Sequence, residues 1–101
     1  MSSHQHRYWV YLITNRPHGT LYIGVTNSLA KRIWQHRTGA FEGFSKRYGL
    51  KQLVYFEEFH DVNNAIAREK ELKGWLRTRK IELIEKQNPL WRDLSVEMLD
   101  L

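Results

Sequence analysis

The sequence predicts an α+β fold, a small three-stranded antiparallel sheet flanked by helices in the order ββαβαα. Three features predict it. Residues 7–14, 21–26 and 51–59 are rich in aromatic and β-branched side chains and have strand character. A short Pro- and Gly-containing segment joins the first two, which implies a hairpin. The second half carries apolar residues at helical spacing, each run preceded by a residue able to cap a helix.

The elements follow in order. RYWVYLIT (7–14) is the first strand, and Asn15-Arg16-Pro17-His18-Gly19 supplies the turn. LYIGVT (21–26) is the second strand. Asn27 or Ser28 can cap a helix over 29–38, which Gly39 closes. Residues 39–50 carry three glycines and read as a loop. KQLVYFEEF (51–59) is the third strand. Asp61 can cap a helix over 62–76, and Thr78 another over 79–87, stopped by Pro89. Residues 91–101 are expected to form a last short helix, and residues 1–6, with His4 and His6, a mobile end.

The 101 residues suit one domain spanning 1–101. A composition 42% hydrophobic and 13% aromatic argues against disorder. The absence of cysteine excludes disulfides and thiolate sites, so any metal must be held by oxygen or imidazole. No apolar run approaches the roughly 18 residues of a membrane span. The first residues lack the apolar stretch of a signal peptide, so a cytoplasmic location with no membrane partner is expected. The net charge of +5 fits nucleic-acid binding or an ordinary basic protein equally. Its distribution says more: residues 31–51 hold six basic residues against one acid, and residues 73–80 hold four against none. Two such clusters could converge on one phosphate-binding surface.

Several polar residues stand where apolar ones belong. At about 100° per residue, Val62, Ala65, Ile66, Leu72 and Leu76 define one stripe, and Glu69 falls in its middle. A carboxylate there is costly unless paired or bound to a metal, and the pairing alternative is a salt bridge to Lys73 one turn on. On the preceding helix Arg32 and His36 are four apart and share a face with Leu29 and Ile33. Side by side they can grip a phosphate; the alternative is a snorkelling Arg beside a buried neutral His. A four-residue turn would set Tyr11 opposite Tyr22 on one sheet face, with Gly24 on that face leaving room for close approach. Aromatic packing is the alternative for the tyrosines, and the main reading for Trp9, Trp34, Trp75 and Trp91.

The order of these residues resembles the GIY-YIG nuclease family. The matching segments are WVYL (9–12), LYIGVTNSLAKRIWQH (21–36), AIAREKELKGW (65–75) and NPLW (88–91). They fall in family order over nearly the whole chain, and the length resembles the small stand-alone members. Tyr11 and Tyr22 match the tyrosines of the two name motifs, Arg32 and His36 the helix pair, Glu69 the metal-binding carboxylate, and Asn88 a late asparagine that supports the site. The chain departs from the family at Trp9-Val10, where the motif has Gly-Ile. It departs again at Val25, where some members have a lysine; Lys46 is a candidate substitute.

The resemblance implies a metal-dependent endonuclease that hydrolyses DNA phosphodiesters, with RNA the other possible substrate, using one Mg²⁺ or Mn²⁺ held by Glu69. Such an ion keeps most of its waters and needs only one or two carboxylates. Arg32 would hold the scissile phosphate, with Lys46, Arg47 and Lys73 as further nucleic-acid contacts. Tyr11 is the expected general base and His36 the alternative, with Tyr22 orienting the water or phosphate. The competing reading is a catalytically inactive nucleic-acid-binding domain on the same basic clusters. A structural or adaptor protein would account for the aromatics but not for the placement of Glu69, Arg32 and His36.

Overall fold

A computed structural model describes residues 6–39 and 43–96. Strands β1 (Tyr8–Thr14), β2 (Leu21–Thr26) and β3 (Gln52–Phe59) form one antiparallel sheet in the order β2-β1-β3. Helices α1 (Leu29–Thr38), α2 (Phe44–Tyr48), α3 (Val62–Lys73) and α4 (Arg77–Gln87) flank it. The expected sheet is present, with one addition. Within the segment read as a loop, Gly43 and Gly49, both at positive φ, bracket the single turn α2, which is too short for periodicity to register.

The central strand is buried from Val10 to Thr14, and its period of two divides the interior between two cores. Val10 and Leu12, with Ile23 and Val54, pack against Ala65 and Leu72 of α3 and Ile84 of α4. Tyr11 and Ile13, with Leu53, pack against Leu29 and Ile33 of α1. Thus α1 covers one face of the sheet while α3 and α4 cover the other.

The hairpin loop is longer than expected. Thr14 pairs with Leu21 and Tyr11 with Gly24, so six residues connect the strands and Tyr11 does not face Tyr22 directly. The Asn15 side chain accounts for the extra length, because its Oδ1 accepts the Thr20 N–H at 3.1 Å and closes the loop without a tight turn. The register shift is two residues, and an even shift keeps every side chain on its expected face.

Asp61 caps α3 as expected, accepting from the N–H groups of Asn63 and Asn64. The helix stops at Lys73 rather than at residue 76, with Gly74 donating back to its last carbonyls. Leu76, expected in the core stripe, is therefore 73% exposed and takes the N-cap position of α4 in place of Thr78. Val62 and Ile66 are also exposed. The buried stripe is narrower than predicted and centres on Ala65 and Leu72, which moves Glu69 from its middle to its margin.

Beyond α4, residues 91–93 are irregular rather than helical, and Leu94 N–H donates to the Leu53 carbonyl of β3. Residues 95–96 are helical, while residues 97–101 of the helix expected over 91–101, and residues 1–5 of the end expected to be mobile at 1–6, lie outside the described residues. Among the described residues, no helix is long and apolar enough to cross a membrane.

Candidate active site

Tyr11, Tyr22 and Gly24 share the sheet face that α1 covers, and α1 points His36 at them. A methyl group built on Gly24 would fall inside the Tyr11 phenol, against Oη and Cζ. The room for close approach that Gly24 leaves is filled by the Tyr11 ring itself. Lying across this gap, Tyr11 shares a hydrogen bond with His36 Nε2 at 3.1 Å. The rings of Tyr11, Tyr22 and His36 form a nearly even triangle, with centroids 6.3, 5.8 and 5.7 Å apart. Tyr11 and His36 are 1% and 4% exposed, whereas Tyr22 is half-buried.

The electrostatics extend this cluster to both flanking helices. Burial pushes the Tyr11 phenol well above its ordinary range, the neighbouring Tyr22 and the Glu69 carboxylate push the same way, and Arg32 opposes them. Burial, then Arg32, push His36 down to about 4, so the imidazole is neutral at pH 7. The charges of Arg32 and Glu69 are thus felt at one phenol, although their helices cover opposite faces of the sheet. Glu69 is 16% exposed at the side-chain level and pairs at 3.3 Å with the more exposed Lys73. The salt bridge weighed as an alternative for Glu69 exists, but at the surface margin.

The GIY-YIG catalytic domain matches residues 7–82. The chain belongs to the GIY-YIG family. It is 38% identical over 69 residues to a UPF0213 protein of Clostridium perfringens, covering 68% of this chain and 74% of that one. It is 33% identical over 78 residues to a UPF0213 protein of Staphylococcus saprophyticus, covering 77% and 94%. The solution NMR structure of a UPF0213 protein from Bacillus halodurans shares the fold, with a TM-score of 0.55, 24% identity, and coverage of 86% of this chain and 92% of the other.

Asn88, beyond the matched residues 7–82, stands apart from the other predicted site residues. At the end of α4, its Nδ2 donates to the carbonyls of Val54 and Arg92, and its Oδ1 accepts from Arg92 N–H, each at 3.0 Å. Val54 is the extra residue of a bulge, since Leu12 pairs with Tyr55 and Ile13 with Leu53. Asn88 therefore satisfies a carbonyl that the ladder leaves out and locks the chain after α4. Lys46 and Arg47 are exposed on α2; Lys46 reaches beside Gly39, the cap of α1, and Arg47 lies over Tyr48.

The basic clusters divide in a way that no sequence pattern indicates. Arg37 is held by Ser95 and Asp93, Arg77 donates to the carbonyls of His18 and Gly19, and Arg79 lies 4.1 Å from the centre of the Trp75 ring. Lys80 was not singled out, yet it lines a cleft of about 330 Å³ with Lys73, Leu21, Tyr22 and Ile23. Sequence gives only the count of basic residues between 73 and 80; the partners that engage Arg77 and Arg79 come from distant segments or the far side of the helix break.

Proposed function

We propose that this protein is an endonuclease that hydrolyses nucleic-acid phosphodiesters, with DNA as substrate and a divalent cation as cofactor. The observation that carries the reading is the meeting of two phenols, a neutral imidazole, a guanidinium charge and a carboxylate charge around Tyr11. Membership of the GIY-YIG family supports the reaction class. Arg32 offers a planar fork of donors to the scissile phosphate. Tyr11, the base expected from the sequence, is buried against His36 in this structure. Tyr22 is the half-buried phenol of the three-ring cluster, so it takes the role of orienting the attacking water, and it can accept that water's proton only as a phenolate, after releasing its own proton to solvent. Tyr11 and His36 hold Tyr22 from behind, and Asn88 acts through the backbone it secures.

The donor set fits a hydrated Mg²⁺ or Mn²⁺. Glu69 brings one carboxylate near Tyr11, and among the described residues no three His, Asp or Glu side chains gather into a caging set. Bound at Glu69, such an ion would stabilise charge developing on the leaving oxygen. The test is incubation of the purified protein with nicked, branched and single-stranded DNA, and with RNA, with and without Mg²⁺ or Mn²⁺. The expected result is metal-dependent cleavage of DNA that falls by at least about 100-fold in Tyr22→Phe. Salt-sensitive binding of DNA without cleavage under any condition would support a binding domain instead.

A further inference from the structure

We infer that the cleft between β2 and helices α3 and α4 is a second phosphate subsite, holding a backbone phosphate of the nucleic-acid strand next to the one being cut. This rests on the nuclease reading above and adds a ligand position to it. Strand order β2-β1-β3 makes β2 an edge strand, and the cleft follows that edge. Leu21 and Ile23 turn toward α3 and α4, and Tyr22 between them belongs to the catalytic triangle on the other face. A ligand lying along the edge therefore touches Tyr22 while reaching the lysines.

Lys73 and Lys80 come from different helices and line the same space of about 330 Å³. Neighbouring ammonium groups repel one another, and an anion between them reverses that cost. Lys73 pairs with Glu69 at 3.3 Å, so Lys80 brings the uncompensated charge; among the described residues no carboxylate pairs with Lys80. The apolar side chains of Leu21 and Ile23 suit the sugar of a nucleotide, and the lysines suit its phosphate. Ammonium groups on flexible stems read charge without base identity, so the contact contributes affinity and no sequence preference.

The experiment measures binding of fluorescent single-stranded and nicked duplex oligonucleotides across a salt series, together with cleavage kinetics. The variants are Lys80→Ala, Lys80→Gln and Lys73→Ala, with the exposed Arg92→Ala as control. Removing Lys80 is expected to weaken binding of every sequence by about tenfold near 0.1 M salt and to flatten the salt slope by about 0.9 on duplex and 0.7 on single strands. The loss should fall on KM rather than kcat, as for a contact made equally in ground and transition states. Arg92→Ala should keep the wild-type slope. Thermal melts accompany each variant, and Lys80→Gln carries the measurement if Lys80→Ala is unfolded. Wild-type affinity and slope in folded Lys80 variants, alongside a wild-type protein that binds and cuts, would overturn the subsite and leave the nuclease standing. A wild-type protein that binds no nucleic acid would overturn both.

Discussion

Tyr11 and Tyr55 are buried tyrosines on neighbouring strands, facing opposite sides of the sheet, and burial pushes both phenols up. Their partners differ. Tyr55 donates to the Glu57 carboxylate, which Arg68 grips through both Nε and Nη2 while also bonding Glu71. Burial works to raise the Glu57 carboxyl, and the hydrogen bonds from Arg68 and Tyr55 overcome it and hold it low. Every charge there has its partner inside the protein. Tyr11 instead faces a neutral imidazole, with the charges of Arg32 and Glu69 acting on it from two helices. A closed network of opposite charges stabilises a fold. Around Tyr11 the charges stand beside neutral rings rather than in one network with them, Glu69 itself pairing with Lys73, which is how the proposed site differs from a structural bridge built of the same residue types.

The largest expected effect lies on the Tyr11 side and concerns pH. His36 is pushed down to about 4 in the folded protein, whereas it titrates near 6.5 in the unfolded chain. As pH falls the unfolded chain binds this proton first. The His36 contribution is therefore constant above about 6.5 and declines by about 3 kcal/mol between there and about 4. Urea midpoints at pH 7, 5 and 4 should show that slope in the wild type and a shallower one in His36→Gln. Equal slopes would mean that the imidazole is not held neutral.

On the Tyr55 side, Arg68→Ala strands Glu57 and is expected to cost about 2 kcal/mol, an amount fitting charged hydrogen bonds that are only partly buried. Cleavage per folded molecule should be unchanged, and a large fall in kcat at constant stability would break the separation between the two sides. Gly24→Ala comes next. Its methyl overlaps the Tyr11 ring, so the phenol must move off His36. Overpacking of this kind costs about 1–3 kcal/mol, and activity should fall with it. A variant with wild-type melting and activity would show that Tyr11 needs no fixed position.

Much of this was legible in the chain. Face parity put Tyr11, Tyr22 and Gly24 together, and it survived a misjudged loop because the true register differs by an even number. The loop length was not legible, since it depends on the Asn15 side chain closing onto Thr20. Helical spacing found Glu69 but misjudged its burial, because Gly74 ended α3 early and left Leu76 outside. Asn88 was found by motif, while its work on the Val54 bulge required the sheet register. The basic residues were least legible of all, because their roles depend on partners as distant as His18 for Arg77 and Asp93 for Arg37.

The most direct test of the central claim is Glu69→Gln, assayed for metal-dependent cleavage and for melting temperature in one preparation. Glu69 pairs with a lysine whose side chain is 54% exposed. A pair of that kind contributes about 0.5 kcal/mol or less, so the melt should hardly move. The amide keeps the shape of the side chain and removes the charge that the site would offer a divalent ion, so cleavage should nearly vanish while metal-free DNA binding persists. A Glu69→Gln protein that is strongly destabilised yet cleaves at the wild-type rate would contradict the account, because Glu69 would then belong to the fold and not to the chemistry.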